Sequence, residues 1–130
     1  LDTNGVLDSI VKEILDLDIV DYWAMDVKYP LEYYSEYEVD IEPIKRSISM
    51  IMNKAKDYEF RTTYVKGIHN IDDAKGIGEM ITGAKRYYIQ NFRKGKTIDP
   101  QLDSSNSFTE QELKQIKKNI SKYVQHVEIR

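Results

Sequence analysis

Two residues of opposite charge stand two apart in the run Trp23-Ala24-Met25-Asp26-Val27-Lys28. The run follows an amphipathic helical pattern and reads as a strand, so alternation puts Asp26 and Lys28 on one face. A buried parallel strand is almost wholly apolar. A carboxylate and an ammonium at its C-terminal end are costly unless they bind each other or a ligand. Strand C-terminal ends are also where α/β proteins hold their ligands. The other strand ends repeat this polar character: Asp2, Thr3 and Asn4, then Arg61 and Thr63, then Gln90, Asn91 and Arg93. If these ends converge, Asp2 and Asp26 face Lys28, Arg61 and Arg93. That set suits a small zwitterion or carboxylate, with a hard cation held by the two Asp.

Each position also has a plainer reading. Asp26 and Lys28 are equally read as a structural ion pair on an edge strand. Arg61 pairs with Glu59, its neighbour on the same face. Asp2-Thr3-Asn4 forms a turn with side-chain caps. His69 and His126 are far apart in sequence and suit loop and surface roles better than catalysis. Gly76-Ile77-Gly78 lies within a helical pattern and follows no strand, so it is no phosphate loop. Tyr29, Tyr33, Tyr34 and Tyr37 suit a binding surface or a half-buried cover over one end of the barrel, and the cover is the favoured reading. Lys114, Lys117, Lys118 and Lys122 form a solvated helix face.

The elements that must position these residues follow from periodicity. Leu7, Ile10, Val11, Ile14 and Leu15 predict a helix over about residues 6–17. Ile19–Lys28 reads as a strand and Tyr29–Asp40 as a connection. Ile41, Ile44, Ile48, Ile51, Met52 and Ala55 mark a second helix. Tyr58–Val65 is a strand stopped by Lys66-Gly67. A third helix spans about Ile71–Ala84, with Asn70 as N-cap and Asp72 and Asp73 in its first turn. Arg86–Phe92 is a strand. Arg93–Ser107 has no periodicity, which suits a functional or mobile loop. Thr109 and Glu112 predict a capping box, with Phe108 and Leu113 as its staple. The final helix carries the stripe Leu113, Ile116, Ile120, Tyr123 and Val124, and Val127–Ile129 is a last short strand. This alternation predicts an α/β fold with a parallel sheet and right-handed crossovers.

Composition narrows the function classes. The chain has 130 residues, 41% hydrophobic and 32% charged, which suits one soluble domain or a piece of one. A net charge of -3 gives no electrostatic reason to expect nucleic acid. No apolar run approaches the roughly 20 residues of a membrane span. No basic start with an apolar core marks a signal peptide. There is no Cys, so the chain holds no disulfide, no thiolate nucleophile and no iron–sulfur ligands. An intracellular, cytoplasmic setting is the expectation. Leu1-Asp2-Thr3-Asn4-Gly5 reads as a strand end entering a turn, which predicts a larger parent protein.

Taken together and in order, Leu1-Asp2-Thr3-Asn4-Gly5, Met25-Asp26-Val27-Lys28 and Phe60-Arg61-Thr62-Thr63 with Val65 and Gly67 resemble the radical S-adenosylmethionine activating enzymes of glycyl-radical enzymes. Anaerobic ribonucleoside-triphosphate reductase activating proteins are the nearest likeness, and pyruvate formate-lyase activating enzymes are similar. Gln90-Asn91-Phe92-Arg93 and Val127-Glu128-Ile129-Arg130 fit as well. The resemblance covers essentially the whole chain.

The resemblance implies the C-terminal half of a partial (β/α)6 barrel over residues 1–130. It implies that Asp2, Thr3 and Asp26 contact S-adenosylmethionine or hold a monovalent cation beside its carboxylate. Lys28 then lies near the carboxylate and ribose, and Arg61 in the cofactor pocket. Arg93 falls where relatives place a residue that need not be Arg, and Lys66 stands where many have Pro. The family's C-x3-C-x2-C loop for the [4Fe–4S] cluster and its Gly-Gly-Glu element belong to a preceding half. The implied parent reduces S-adenosylmethionine to a 5′-deoxyadenosyl radical. It then abstracts hydrogen from a glycine of a partner, anaerobic ribonucleotide reductase foremost. Two alternatives stay open: a small-molecule radical enzyme of the modified-nucleobase synthase type, and a non-catalytic α/β interaction module. Half a barrel leaves sheet edges and an open face, so dimerisation or strand exchange is expected.

Overall fold

Five parallel strands form one sheet in the computed structural model, which describes residues 1–93 and 101–130. They are β1 (Asp2–Thr3), β2 (Trp23–Asp26), β3 (Tyr58–Tyr64), β4 (Arg86–Asn91) and β5 (His126–Ile129). Their order across the sheet is their order in the chain, and each neighbouring pair is parallel. Between them run α1 (Asp8–Leu17), α2 (Leu31–Glu36), α3 (Ile41–Lys54), α4 (Asp73–Met80) and α5 (Glu110–Ser121). The expected α/β class, parallel sheet and flanking helices are present.

The register sorts the strand residues into two rows. Met25, Phe60 and Tyr87 are neighbours across β2, β3 and β4. With Trp23, Tyr58, Tyr64 and Ile89 they enter a single core. All five helices send buried side chains into that core, including Val11, Tyr34, Ile48, Ile77 and Ile116. A strand order without reversal, joined by right-handed crossovers, puts every helix on the same side of the sheet. The opposite face carries the register row Asp26, Arg61, Tyr88 and Glu128 and, two residues earlier, Asp2, Ala24 and Glu59, and it is mostly polar. A doubly wound sheet reverses its order midway and is covered on both faces. This one is not.

Local departures from the periodicity have identifiable causes. The segment Tyr29–Asp40 is not a plain connection. It contains α2, entered through Pro30 at the N-cap, and six residues are too few to display a helical period. Strand β2 begins at Trp23 rather than Ile19, because Ile19 lies exposed outside the ladder. Asn70 and Asp73 exchange bonds, Asn70 N–H to Asp73 Oδ2 at 2.9 Å and Asp73 N–H to Asn70 Oδ1 at 3.2 Å. Regular helix nevertheless starts only at Asp73. The capping box of α5 forms as expected, Glu112 N–H to Thr109 Oγ1 at 3.2 Å and Thr109 N–H to Glu112 Oε1 at 3.0 Å.

Gly76 and Gly78 lie inside α4 and serve close packing. A Cβ on Gly76 would meet Pro30 Cβ at 2.7 Å, and one on Gly78 would meet the Tyr123 ring at 2.5 Å. Of the aperiodic stretch after Arg93, residues 94–100 lie outside the described residues. Its later part contains a short 3₁₀ turn, Ser104–Asn106. Asn106 binds Lys66 through both main chain and side chain, each at 2.7 Å, and so ties this crossover to the end of β3. No described helix is long and apolar enough to cross a membrane.

Candidate functional site

Asp26 of β2 and Arg61 of β3 are register partners, so their side chains share the polar face. Arg61 Nε donates to Asp26 Oδ1 at 2.9 Å, and its Nη2 lies 3.2 Å from Asp2 Oδ2. One guanidinium therefore bridges two strand ends. The hydrogen bond to Asp26 raises the Arg61 pKa above its usual range, burial opposes that rise, and Asp2 adds to it. Two simpler pairings do not occur: Asp26 is not paired with Lys28, and Arg61 does not pair with Glu59. Arg61 instead reaches back across the ladder to the carboxylate beside it.

Glu59 has its own partners. It is 4% exposed and takes a two-pronged contact from Arg130, Nη1 to Oε2 at 2.8 Å and Nη2 to Oε1 at 3.1 Å. Tyr22 Oη donates to Oε1 at 3.0 Å. The Arg130 guanidinium also lies 3.7 Å from the centre of the Tyr88 ring. Burial, and then the bond to Glu59, push the Tyr22 phenol up to about 12. The polar face is thus lined by compensated charges rather than by loose ones.

Lys28 lies two residues beyond β2 and is exposed. It lines a cleft of about 260 Å³ together with Asp26, Tyr29, Thr62, Thr63 and His69. Asp26 and Lys28 therefore line one cavity at the C-terminal ends of β2 and β3, and Val27 between them lines it too. A second hollow of about 450 Å³ adjoins it through Thr63 and Val65, and Gln90, Asn91, Arg93 and Arg130 line it. Thr63 Oγ1 donates to Gln90 Oε1 at 3.1 Å. Asn91 is engaged elsewhere, bonded through both ends of its amide to the main chain of Phe108 at 2.9 Å.

Thr3 and Asn4 behave as turn caps. The Thr3 hydroxyl accepts from Gly5 N–H and Asn4 Oδ1 from Val6 N–H, each at 3.0 Å. Thr3 is the register partner of Met25, which puts it on the helix side of the sheet, opposite Asp2. The structure thus brings together Asp2, Asp26 and Arg61, and places Lys28 in the cleft beside Asp26. It does not bring Thr3 to that face. Among the described residues no three His, Cys, Asp or Glu cluster as a metal site. Both Asp contact Arg61, Asp26 through Oδ1 and Asp2 through Oδ2.

Three contributors escape sequence reasoning. His69 is 7% exposed, which overturns the expected surface role. Its Nδ1 accepts from Val65 N–H at 3.0 Å and its Nε2 contacts the Lys28 carbonyl at 2.7 Å. Burial lowers its pKa below the ordinary imidazole value. Tyr34 Oη accepts from Lys28 N–H at 2.8 Å, and Thr62 Oγ1 donates to the Val27 carbonyl at 2.5 Å. No spacing signals such side-chain ties to a strand end. Tyr29 stacks between Tyr37, at 4.8 Å, and His69, at 5.6 Å, and meets Tyr34 edge-on at 5.4 Å. The tyrosines do pack together at the end of β2, but not as a uniformly half-buried cover: Tyr34 is buried, Tyr29 and Tyr33 are half-buried and Tyr37 is exposed. His126 is exposed and pairs with Glu128. The side chains of Lys114, Lys117, Lys118 and Lys122 line a solvated face.

Among curated proteins, this chain is similar to one from Methanocaldococcus jannaschii that carries a provisional name as a glycyl-radical enzyme activating enzyme. The two are 30% identical over 137 aligned positions, which take in all of this chain and 57% of that protein. The chain thus spans little more than half the length of the curated relative it matches. No family model matches the chain, and no solved structure matches it significantly.

Proposed function

We propose that residues 1–130 are the C-terminal part of a radical S-adenosylmethionine activating enzyme, folded as the second half of a partial (β/α)6 barrel. The parent makes a glycyl radical on a partner enzyme, with anaerobic ribonucleotide reductase the foremost candidate. Asp2, Asp26, Lys28 and Arg61 supply one wall of the cofactor pocket, while Thr3 shapes the turn after β1. The cysteines that hold the [4Fe–4S] cluster lie in another part of the parent, since this chain has none.

Three observations support this reading. Chain-ordered parallel strands with all helices on one side are the arrangement of a barrel wall, whose inner face and strand ends carry the chemistry. The outer face of α1 is apolar: Leu7, Ile10 and Leu17 are 63%, 48% and 60% exposed, at spacings of three and seven. That stripe suits a further helix beside α1, whereas α5 at the opposite edge presents lysines to water. The likeness to the Methanocaldococcus jannaschii protein points the same way.

The observation that carries most is Asp26 and Lys28 in one cleft at the strand ends. The donor set fits the amino-acid end of S-adenosylmethionine: an ammonium for its carboxylate, a carboxylate for its positive groups, and an aromatic wall in Tyr29. Asp2 and Asp26, the two carboxylates drawn together by Arg61, are the groups assigned to a monovalent cation. When bound, the cofactor supplies the radical chemistry; these residues orient it and balance its charges. A specific observation favours the rival reading of a non-catalytic α/β module: Arg61, Asp2 and Asp26 already satisfy one another.

The test uses the full-length parent with its cluster reconstituted. Asp26→Ala and Lys28→Ala should abolish S-adenosylmethionine cleavage and leave the cluster spectrum intact. Unimpaired cleavage in both variants refutes the site. A wild-type parent that shows no calorimetric binding of S-adenosylmethionine supports the module instead.

A further inference from the structure

Beyond Asp26 one main-chain bond remains, Val27 N–H to the Arg61 carbonyl at 2.9 Å, and from the Val27 carbonyl onward side chains take over. Lys28 is held on both sides of its α-carbon, its N–H by Tyr34 Oη at 2.8 Å and its carbonyl by His69 Nε2 at 2.7 Å. The other ring nitrogen of His69 accepts from Val65 N–H at 3.0 Å. A single imidazole therefore joins the end of β2 to the end of β3. Val65 offers a donor and Lys28 an acceptor, so only the neutral ring with its proton on Nε2 serves both. The imidazolium would set one N–H against another.

We propose that Tyr34 and His69 form a clamp that positions Lys28 in the cleft it shares with Asp26, and that the clamp holds only while His69 is neutral. A lysine side chain has much rotamer freedom, and fixing its α-carbon on both sides narrows the region its ammonium can sweep. Tyr34 and His69 are thus positioning residues that act through Lys28. The groups facing the ring are Tyr29 from the β2–α2 turn, Tyr64 from β3 at 5.4 Å, and Asp73 at the start of α4. Asp73 favours the charged ring, but burial outweighs it. Asp26 and the Lys28 ammonium share the adjoining cleft.

The proposal rests on the pocket reading above for its probe, S-adenosylmethionine, and the experiment separates the two. In the full-length protein, nitrogen NMR of His69, assigned by difference against His69→Gln, should show Nε2 protonated and Nδ1 bare. The opposite tautomer overturns the clamp. Tyr34→Phe removes one hydroxyl and should weaken S-adenosylmethionine binding about fivefold, the value of one neutral hydrogen bond. In a Lys28→Ala background the same change should have no effect. An equal loss in both backgrounds means a merely structural role and overturns the proposal.

Wild-type affinity should fall as pH drops through the His69 midpoint seen by NMR, and His69→Gln should lack that step. A wild-type protein without the step also overturns it. If the wild-type protein binds no S-adenosylmethionine, the pocket reading fails, and the clamp is decided by the tautomer and by amide exchange at Lys28. Faster exchange in Tyr34→Phe supports it, and unchanged exchange refutes it.

Discussion

Arg61 bridges two carboxylates unequally, and a double-mutant cycle should resolve the inequality. Asp26 is 36% exposed and meets an Arg61 side chain that is 18% exposed, at 2.9 Å. Asp2 is 73% exposed and stands at 3.2 Å. A charge-assisted hydrogen bond in a partly buried setting contributes about 1.5–3 kcal/mol, and solvent at Asp26 brings the expected coupling to the lower end, about 1.5 kcal/mol. A pair with one partner largely in water is worth about 0.5 kcal/mol or less. Arg61→Met keeps the apolar stem and removes the fork, while Asp2→Asn and Asp26→Asn keep the shape and remove the charge. Urea unfolding of the single and double variants gives both coupling energies. Added salt should erase the Asp2 coupling first, because the exposed pair is the more readily screened. A coupling to Asp2 that equals or exceeds the coupling to Asp26 would refute the argument that burial ranks these contacts.

Other predictions follow from other parts of the molecule. Gly78→Ala gains about 1 kcal/mol of helix propensity. It also drives a Cβ to 2.5 Å from the Tyr123 ring. Overpacking of that kind costs about 1–3 kcal/mol, so thermal unfolding should show a net loss, and a stabilised variant would sink the packing account. For His69, burial sets the folded pKa below the unfolded value of 6.5, so the unfolded chain takes up the proton first as pH falls. Its contribution to stability is complete above that value, declines as pH falls through it, and levels off once the folded ring protonates. Urea midpoints between about pH 8 and about pH 5 should show this decline in the wild type and not in His69→Gln; parallel curves would refute it. Ile10→Lys with Leu17→Lys should change the stability of the 130-residue chain by less than about 0.5 kcal/mol, since both sites are exposed. In the full-length parent the same pair should cost about 2 kcal/mol or more, because burial there would desolvate two ammonium groups. An equal effect in the two proteins would show that nothing covers α1.

Much of the architecture was written in periodicity. The stripe from Ile41 to Ala55 becomes α3, and Thr109 with Glu112 sets the start of α5, because one-dimensional spacing and local caps decide those elements. The polar strand ends were visible too, since a charge at Asp26 or Arg61 violates the pattern of a buried strand. Partner choice was not. Asp26 turns to Arg61, 35 positions away, and Glu59 turns to Arg130, 71 positions away. Register between strands fixes the first choice, and register is not a local property; the second joins segments that are not ladder neighbours, Arg130 reaching back over the Tyr88 ring of β4. His69 was misread because its burial follows from a turn that folds it under Tyr29, and a lone His in a Gly-containing turn carries no sign of that. Helix α2 was missed because it is shorter than two full turns.

Chain-ordered strands also have a consequence for how the molecule is made. Paired residues on adjacent strands are never more than about one βα unit apart, from 22 positions between Asp2 and Ala24 to 40 between Arg86 and His126. Each strand therefore finds its neighbour already synthesised, and none waits for a segment from the far end. As the chain leaves the ribosome, the sheet can grow by accretion at a single moving edge, one strand and its helix at a time. Until the next unit arrives that edge is an unpaired β-strand, open to pairing with other chains. Synthesis speed across the β4–β5 crossover, the longest of these intervals, then governs how long the growing sheet stays exposed.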